Sequence, residues 1–496
     1  MVFLFKGEGG TQAGQRKPVT VPDAKAKKTN ARSQPNMSEL AHTQPTPPPF
    51  DGLHGSSRSL AMLAVSLSVF LALLDYAIAN VALPDIARDL NASASSSIWV
   101  VNAYQLASLI SLLPLAALGS KVGFARLCRT GIMIFMVSSL MCALAPTLPL
   151  LAAARVIQGI GGACIMSVNI ALVRFIYPHA EIGRGIALNG VVVAVGVALG
   201  PTAAAAILSM ASWPWLFWIN LPLGAVALFM AFKALPAVPR STQKSDVLGS
   251  FLCVLALGAL VMGGDGLAHR SGLALSVGLM VLGVACGLLL VRREHGLAQP
   301  IFPVDLLGKP EFAVAFVTGF GGFVASNFYI VSMPFTLHDE LGLGSALTGL
   351  LITPWPIGIM CAAPVVRRVA DTVSAGVLSS IGLSVTALGF ILLWLLPLQP
   401  SVFDIAWRTA IAGWGFGFFQ PPNNRAMMVA APHTRAGGAS GLVQVARQAG
   451  QAVGAMGVAA FFVQFGHEGA RACLLAASCV AAAAAALSAS RLFMRN

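Results

Sequence analysis

The sequence predicts an all-α integral membrane protein with fourteen transmembrane helices. Three observations predict it. Residues of the AVILMFWYC set make up 57% of the 496-residue chain, against roughly 45–50% in soluble domains even when Gly is counted. Charged residues are only 10%, against about 25% in soluble domains, and a mean hydropathy of +0.80 over such a length exceeds what a soluble core buries. After Ser59 the apolar residues fall into runs of about 20, the length a helix needs to cross the hydrocarbon, separated by short polar breaks.

Residues 1–58 are of a different composition, dominated by Pro, Gly, Ser, Thr, Gln and Lys, with Pro47-Pro48-Pro49 near their end. They read as a disordered tail. The apolar start, Met1 to Phe5, is too short for a signal-peptide core, and Met37 is an alternative start. The apolar runs then follow near 59–83, 98–119, 127–146, 149–176, 185–209, 215–235, 247–264, 272–291, 311–334, 346–366, 375–396, 403–430, 437–465 and 470–490. Pro354 and Pro356 in the tenth run, and Pro421 and Pro422 in the twelfth, should break or kink those helices.

An even number of crossings puts both termini on one side, and the basic residues say which. Of the 31 Lys and Arg, twenty-five fall on the side of the tail. Four (Arg88, Arg270, Arg408 and Arg471) fall on the other, and Arg155 and Arg447 lie inside runs. That asymmetry predicts cytoplasmic termini in a cell (inner) membrane. The net charge of +13 is explained the same way, so no nucleic-acid partner is expected; the bilayer is the partner. The eight Cys form no CxxC pair and His338-Asp339-Glu340 reads as a solvated loop, so no metal site or disulfide framework is implied. No GxxxxGK[ST] loop occurs, and the chain is not expected to be an enzyme or to hold a cofactor. The glycine clusters Gly159 to Gly162 and Gly413 to Gly417 read as close helix packing rather than dinucleotide fingerprints, because no strand precedes them.

Ordered motifs carry a family resemblance. The first run ends Leu74-Asp75-Tyr76-Ala77-Ile78-Ala79-Asn80-Val81-Ala82-Leu83-Pro84, and the second opens Trp99-Val100-Val101-Asn102-Ala103-Tyr104-Gln105-Leu106. Further along stand Arg155-Val156-Ile157-Gln158-Gly159-Ile160-Gly161-Gly162-Ala163, then Gly196-Val197-Ala198-Leu199-Gly200-Pro201, then Trp215-Leu216-Phe217-Trp218-Ile219-Asn220-Leu221-Pro222-Leu223-Gly224. The set resembles the LDxTIVNVALP, WVxxAYxLA, RxxQGxGgA, antiporter and WxFxINxPxG elements of the fourteen-helix drug:proton antiporters in the major facilitator superfamily. The resemblance covers about residues 59–490. It implies two six-helix halves, 59–235 and 301–496, around an inserted helix pair at 236–300. It also implies a helix-packing antiporter motif at Gly196, Gly200 and Pro201 and a cytoplasmic gate at Ser120, Lys121, Gly123 and Arg126. Two departures are visible. Ser120 stands where the family carries an acid at the gate, and Thr202-Ala203-Ala204-Ala205 follows Gly200-Pro201 where the family continues xxGG.

Intramembrane charge is a functional hypothesis by default. Asp75 is the one acid deep in an apolar run, about 13 Å from the outer end of its helix at 1.5 Å per residue, and Arg155 sits at similar depth. If the two meet, they suit proton coupling. Burial favours the protonated acid and a neighbouring Arg the ionised one, so separating the pair is expected to release or capture a proton near neutral pH. The competing reading is a permanent bridge that fixes helix packing. Arg447 lies mid-run, and reads as an anion-binding group, part of a Gln-lined water file, or a bridge to a helix-end carbonyl. Asn80, Asn102, Gln105, Gln158, Asn327, Gln444, Arg447 and Gln448 are the candidate substrate-cavity residues, with Tyr329, Gln420 and Asn424 as further polar positions; the alternative for each is interhelical glue.

The expected function is proton-coupled export of amphipathic small molecules, with protons as the coupling ion. Export of a defined metabolite, an anion among the candidates, is the alternative within transport. A non-transporting sensor is the alternative of another class, disfavoured because it would bring a soluble output domain. A periplasmic adaptor is a candidate partner if the source is Gram-negative.

Overall fold

The computed structural model describes residues 52–178, 181–236, 246–268, 272–295, 303–370, 372–397, 399–432 and 436–492, and among them every regular element is helical. Most of the expected tail, 1–51, lies outside the described residues. The long helical segments are α1 Gly55–Val81, α2 Ala94–Val122, α3 Phe124–Ala143, α4 Leu148–Ile176, α5 Ile182–Leu208, α6 Trp215–Ala234 and α7 Val247–Ala268. They continue as α8 Leu273–Glu294, α9 Pro310–Glu340, α10 Ser345–Val369, α11 Ala375–Trp394, α12 Val402–Ala430, α13 Ala436–Phe465 and α14 Gly469–Ser490. Only helices satisfy all their own backbone groups within one segment, as lipid requires. Among the described residues, twelve of these segments are long and apolar enough to cross a membrane. α12 and α13 have the length, 29 and 30 residues, but their composition does not meet that criterion. α12 carries Arg408, Gln420, Asn423, Asn424 and Arg425, and α13 carries Gln444, Arg447, Gln448 and Gln451. The first helix starts at Gly55, inside the stretch assigned to the tail, and is anchored there by Arg58, whose guanidinium pairs with Glu181 at 3.0 Å.

Helix pairing repeats. In the first six segments α1 packs on α5 and α6, α2 on α4, and α3 on α4 and α6. In the last six, α9 packs on α13 and α14, α10 on α12, and α11 on α12 and α14. Between these two groups α2 lies against α13, and α5 against α10. α7 and α8 pack chiefly on each other, and α7 also touches α2 and α13. Asp246 caps α7 by accepting from the Gly249 N–H at 2.8 Å and pairs with Arg293 of α8 at 3.0 Å. That guanidinium holds the Asp246 carboxyl below its usual range.

Local sequence explains the interruptions. Ser374 and Ser401 cap α11 and α12 with side-chain oxygens that accept from Val377 and Asp404 N–H groups. The proline expectation divides: α10 breaks at Thr353, just before Pro354, whereas Pro421 and Pro422 sit within a continuous α12. His338-Asp339-Glu340 is not a free loop. It forms a π-helical turn ending α9, with the His338 ring bonded to the Leu343 carbonyl at 3.0 Å and to Arg88 at 3.3 Å. The end of the bundle that carries this turn, the distal end, is bridged between the two groups. Thr202 and Thr353 hydroxyls lie 3.0 Å apart, and Ser95 Oγ donates to the Ala459 carbonyl at 3.3 Å. An apolar cluster that includes Leu83, Ile86, Val331 and Leu337 fills the same end.

Candidate functional site

Two polar assemblies sit inside the bundle, one within the first six helices and one between the two groups. The first is built on Asp75 of α1. Asp75 and Arg155 of α4 are both fully buried, and Arg155 Nη1 pairs with Asp75 Oδ2. The other carboxylate oxygen accepts from Gln158 Nε2 at 3.0 Å and from Asn220 Nδ2 at 2.6 Å. Ser139 of α3 closes the network by accepting from Gln158 at 2.7 Å and Asn220 at 3.3 Å. Arg155 spends Nε on the Val100 carbonyl at 2.9 Å and lays its guanidinium over the Tyr104 ring at 4.5 Å. Its Nη2 is buried without a partner among the described residues. A charge pair so enclosed is held by geometry as much as by attraction, because removing either partner would leave an uncompensated buried ion.

The second assembly is a small cavity between α1, α2, α4 and α13. It has about 30 Å³ for water-sized occupants, enough for one or two waters. Gln105, Arg447 and Gln448 of the expected set line it, together with Tyr76, Tyr104, Ser108 and Gln451. Tyr76 is the junction between the halves: its hydroxyl donates to Asn327 Oδ1 at 2.8 Å and accepts from Gln451 Nε2 at 3.3 Å. Asn327 Nδ2 in turn donates to the Gln451 carbonyl. Gln448 Nε2 donates to Ser108 Oγ at 3.2 Å, and Arg447 Nε donates to Gln444 Oε1 at 3.0 Å.

The other expected residues are placed elsewhere. Gln158 belongs to the Asp75 network rather than to the cavity lining. Asn80 donates to the Tyr76 carbonyl one turn back at 2.7 Å, and Asn102 is fully buried with neither amide atom paired among the described residues. Tyr329 packs against Trp355 and Phe390 at 4.8 and 5.4 Å, in a cluster where those two rings also stack at 5.7 Å. Gln420 and Asn424 are not among the lining side chains. Gly196 and Gly200 lie against α1: a Cβ on Gly200 would run into Ala77, and one on Gly196 would sit 3.2 Å from Leu73 Cβ. The Pro201 carbonyl lies where a Cβ on Gly349 of α10 would fall, so this turn of α5 meets both halves. At the expected gate, Ser120 bonds its own helix through the Ala117 carbonyl at 2.8 Å, Gly123 makes the turn with φ of 104°, and Arg126 is exposed.

Three groups were missed. Asn220 holds Asp75, Ser139 accepts from the two amides that do so, and Tyr76 joins the halves. Asn220 stood inside the Trp215–Gly224 element and Tyr76 beside Asp75, so both were legible as motif residues without an assigned role. A serine in an apolar run offers no such signal. The reading of Asp75 as the one deep acid holds for mid-helix positions, but Asp265 and Glu294, near the ends of α7 and α8, are also buried.

Two helical groups with matching pairing and a polar centre between them are the architecture of a secondary transporter. Residues 65–455 match the Major Facilitator Superfamily. The chain belongs to that superfamily. Among its superfamily relatives, the uncharacterized transporter YebQ of Escherichia coli is 45% identical over 89% of this chain and 97% of its own. The riboflavin transporter RibZ of Clostridioides difficile is 26% identical over 82% of this chain and 88% of its own. The multidrug resistance protein Stp of Mycobacterium tuberculosis is 29% identical over 80% and 74%. A crystal structure of a POT family transporter in complex with 5-aminolevulinic acid shares the fold, with a TM-score of 0.65 at 17% identity over 88% of this chain and 96% of that one. The protein is therefore a multi-pass membrane transporter of small molecules, of a superfamily whose members among these relatives include a multidrug resistance protein.

Proposed function

We propose that this transporter exports amphipathic small molecules in exchange for protons, from a cell membrane in which both termini are cytoplasmic. The observation that carries the reading is the fully buried Asp75, held by Arg155, Gln158 and Asn220 at the wall behind Tyr104. Protonation of Asp75 weakens its pull on Arg155 and frees α1 to shift against α4 and α6. Tyr76, the next residue, transmits that shift to Asn327 and Gln451 across the halves. One proton falling through about 100 mV supplies roughly 2.3 kcal/mol, and one pH unit adds about 1.4 kcal/mol. Together they support roughly 500-fold accumulation of a neutral solute. The likeness to Stp supports a multidrug substrate range. Export of one defined metabolite is the second reading, and the likeness to RibZ favours it.

The test is accumulation of fluorescent amphipathic dyes in an efflux-deficient host, with Asp75→Asn at matched expression. Native protein should lower cell dye several-fold, a protonophore should abolish this, and Asp75→Asn should match the empty host. An active Asp75→Asn removes Asp75 as the proton carrier. A native protein that excludes no dye moves the metabolite reading ahead.

A further inference from the structure

We infer that the cavity between the halves is a carboxylate site, and that the preferred substrates are amphipathic acids rather than amphipathic cations; the inference rests on the transport reading above and names its substrate class. The observation is the charge of the cavity wall. Among its lining residues Arg447 is the one charged group, and none is acidic. Asp75, the nearest carboxylate along α1, is fully buried and already committed to Arg155, Gln158 and Asn220, so it does not face this cavity. Among the described residues no Asp or Glu pairs with Arg447.

An unpaired guanidinium in the middle of a bundle is costly unless something anionic visits it. The geometry leaves it ready for such a visitor. Its Nε is occupied by Gln444 at 3.0 Å, one turn back on the same helix, which fixes the side chain and leaves the terminal nitrogens for the cavity. Those two nitrogens present the parallel donors that match a carboxylate. Ser108 and Gln105 add hydroxyl and amide donors on the opposite wall, and the Gln448 amide already leans on Ser108 at 3.2 Å. Apart from the Gln451 amide, the rest of the lining is apolar or aromatic: Ala72, Leu73 and Met166, with Tyr76 and Tyr104. A single cation among apolar and aromatic side chains suits an apolar body bearing an acid. In the present conformation the cavity admits only water-sized occupants, so a substrate enters as the halves part.

Three probes with one fluorophore and different charge test this: dansylglycine, its neutral amide, and the cation dansylcadaverine. Binding to the purified full-length protein is read by dansyl fluorescence. Native protein should bind dansylglycine about tenfold or more tighter than the amide, and dansylcadaverine weakest. This ranking needs no variant. Arg447→Gln should level dansylglycine and its amide, whereas Arg447→Lys should keep most of the preference. Equal binding of the three probes, stronger binding of the cation, no binding of dansylglycine, or an unchanged preference in Arg447→Gln overturns the inference. Transport of the same probes into proteoliposomes under an imposed proton gradient separates the two readings. Movement of dansylcadaverine alone leaves proton-driven transport standing and removes the carboxylate site. Arg447-dependent binding of dansylglycine with no movement of any probe does the reverse.

Discussion

Asp75 takes three side-chain donors from two other helices, Arg155 and Gln158 of α4 and Asn220 of α6, so its surroundings are matched to a negative charge. Removing the cation should therefore hurt more than removing the pair. Arg155→Met leaves a buried carboxylate uncompensated and should cost about 3–5 kcal/mol. The double variant Asp75→Asn, Arg155→Met should recover most of that loss without recovering proton-driven transport. Melting curves of the detergent-purified proteins check the first statement, and dye efflux checks the second. A double variant no more stable than Arg155→Met would mean the pair is not the unit that matters. At this scale the sequence showed its limit. Asp75 and Arg155 stood out because charge is rare in apolar runs, but Asn220, Ser139 and Tyr76 are ordinary polar residues there. Only their convergence gives them a role.

At the scale of elements, the placement of α1 depends on the small residues of α5. Gly200 has no room for a Cβ because Ala77 already fills the space, and Ala77 lies two residues beyond Asp75. Gly200→Ala should force α1 and α5 apart and cost about 1–3 kcal/mol, as overpacking does. Ala77→Gly placed on top should return most of the stability and the efflux, because it empties the space the new methyl needs. Thermal melting and dye efflux of the two single variants and the double variant check this; independent, additive losses would mean the two residues do not share a contact. Helix positions were legible from run length. The behaviour of prolines was legible only in part: Pro354 follows a real interruption, while Pro421 and Pro422 sit within a continuous α12, Pro422 buried and Pro421 exposed.

At the scale of the whole molecule, the two groups of six helices meet at the distal end through Thr202 and Thr353, whose hydroxyls are 3.0 Å apart. Cysteines at these positions fall within reach of a disulfide. Thr202→Cys with Thr353→Cys, in a background where the exposed Cys361 and Cys479 are replaced by Ser, should cross-link under mild oxidant. Efflux should then fall to the level of the empty host and return when the bond is reduced. Full activity in the cross-linked state would show that the distal end need not part during transport, against the rocking of halves expected of this architecture.

Composition and run length alone set the material and the architecture. So apolar a chain cannot fold in water, and runs of helix-spanning length in lipid leave the backbone one solution, so the all-helical membrane fold and its superfamily were legible before any coordinates. What the sequence did not determine was which polar groups meet. A soluble helix advertises its buried face by amphipathic spacing, but a membrane helix is apolar on the lipid side and on the protein side alike, so its rotation is hidden from the pattern. The tertiary structure decided that Gln158 turns to Asp75 instead of to the cavity, that Tyr76 spans the halves, and that Arg447 faces a cavity whose wall holds no acid. Those choices follow from close approach at small residues and from the need of each buried polar group for a partner, and both are properties of neighbours far apart in the chain.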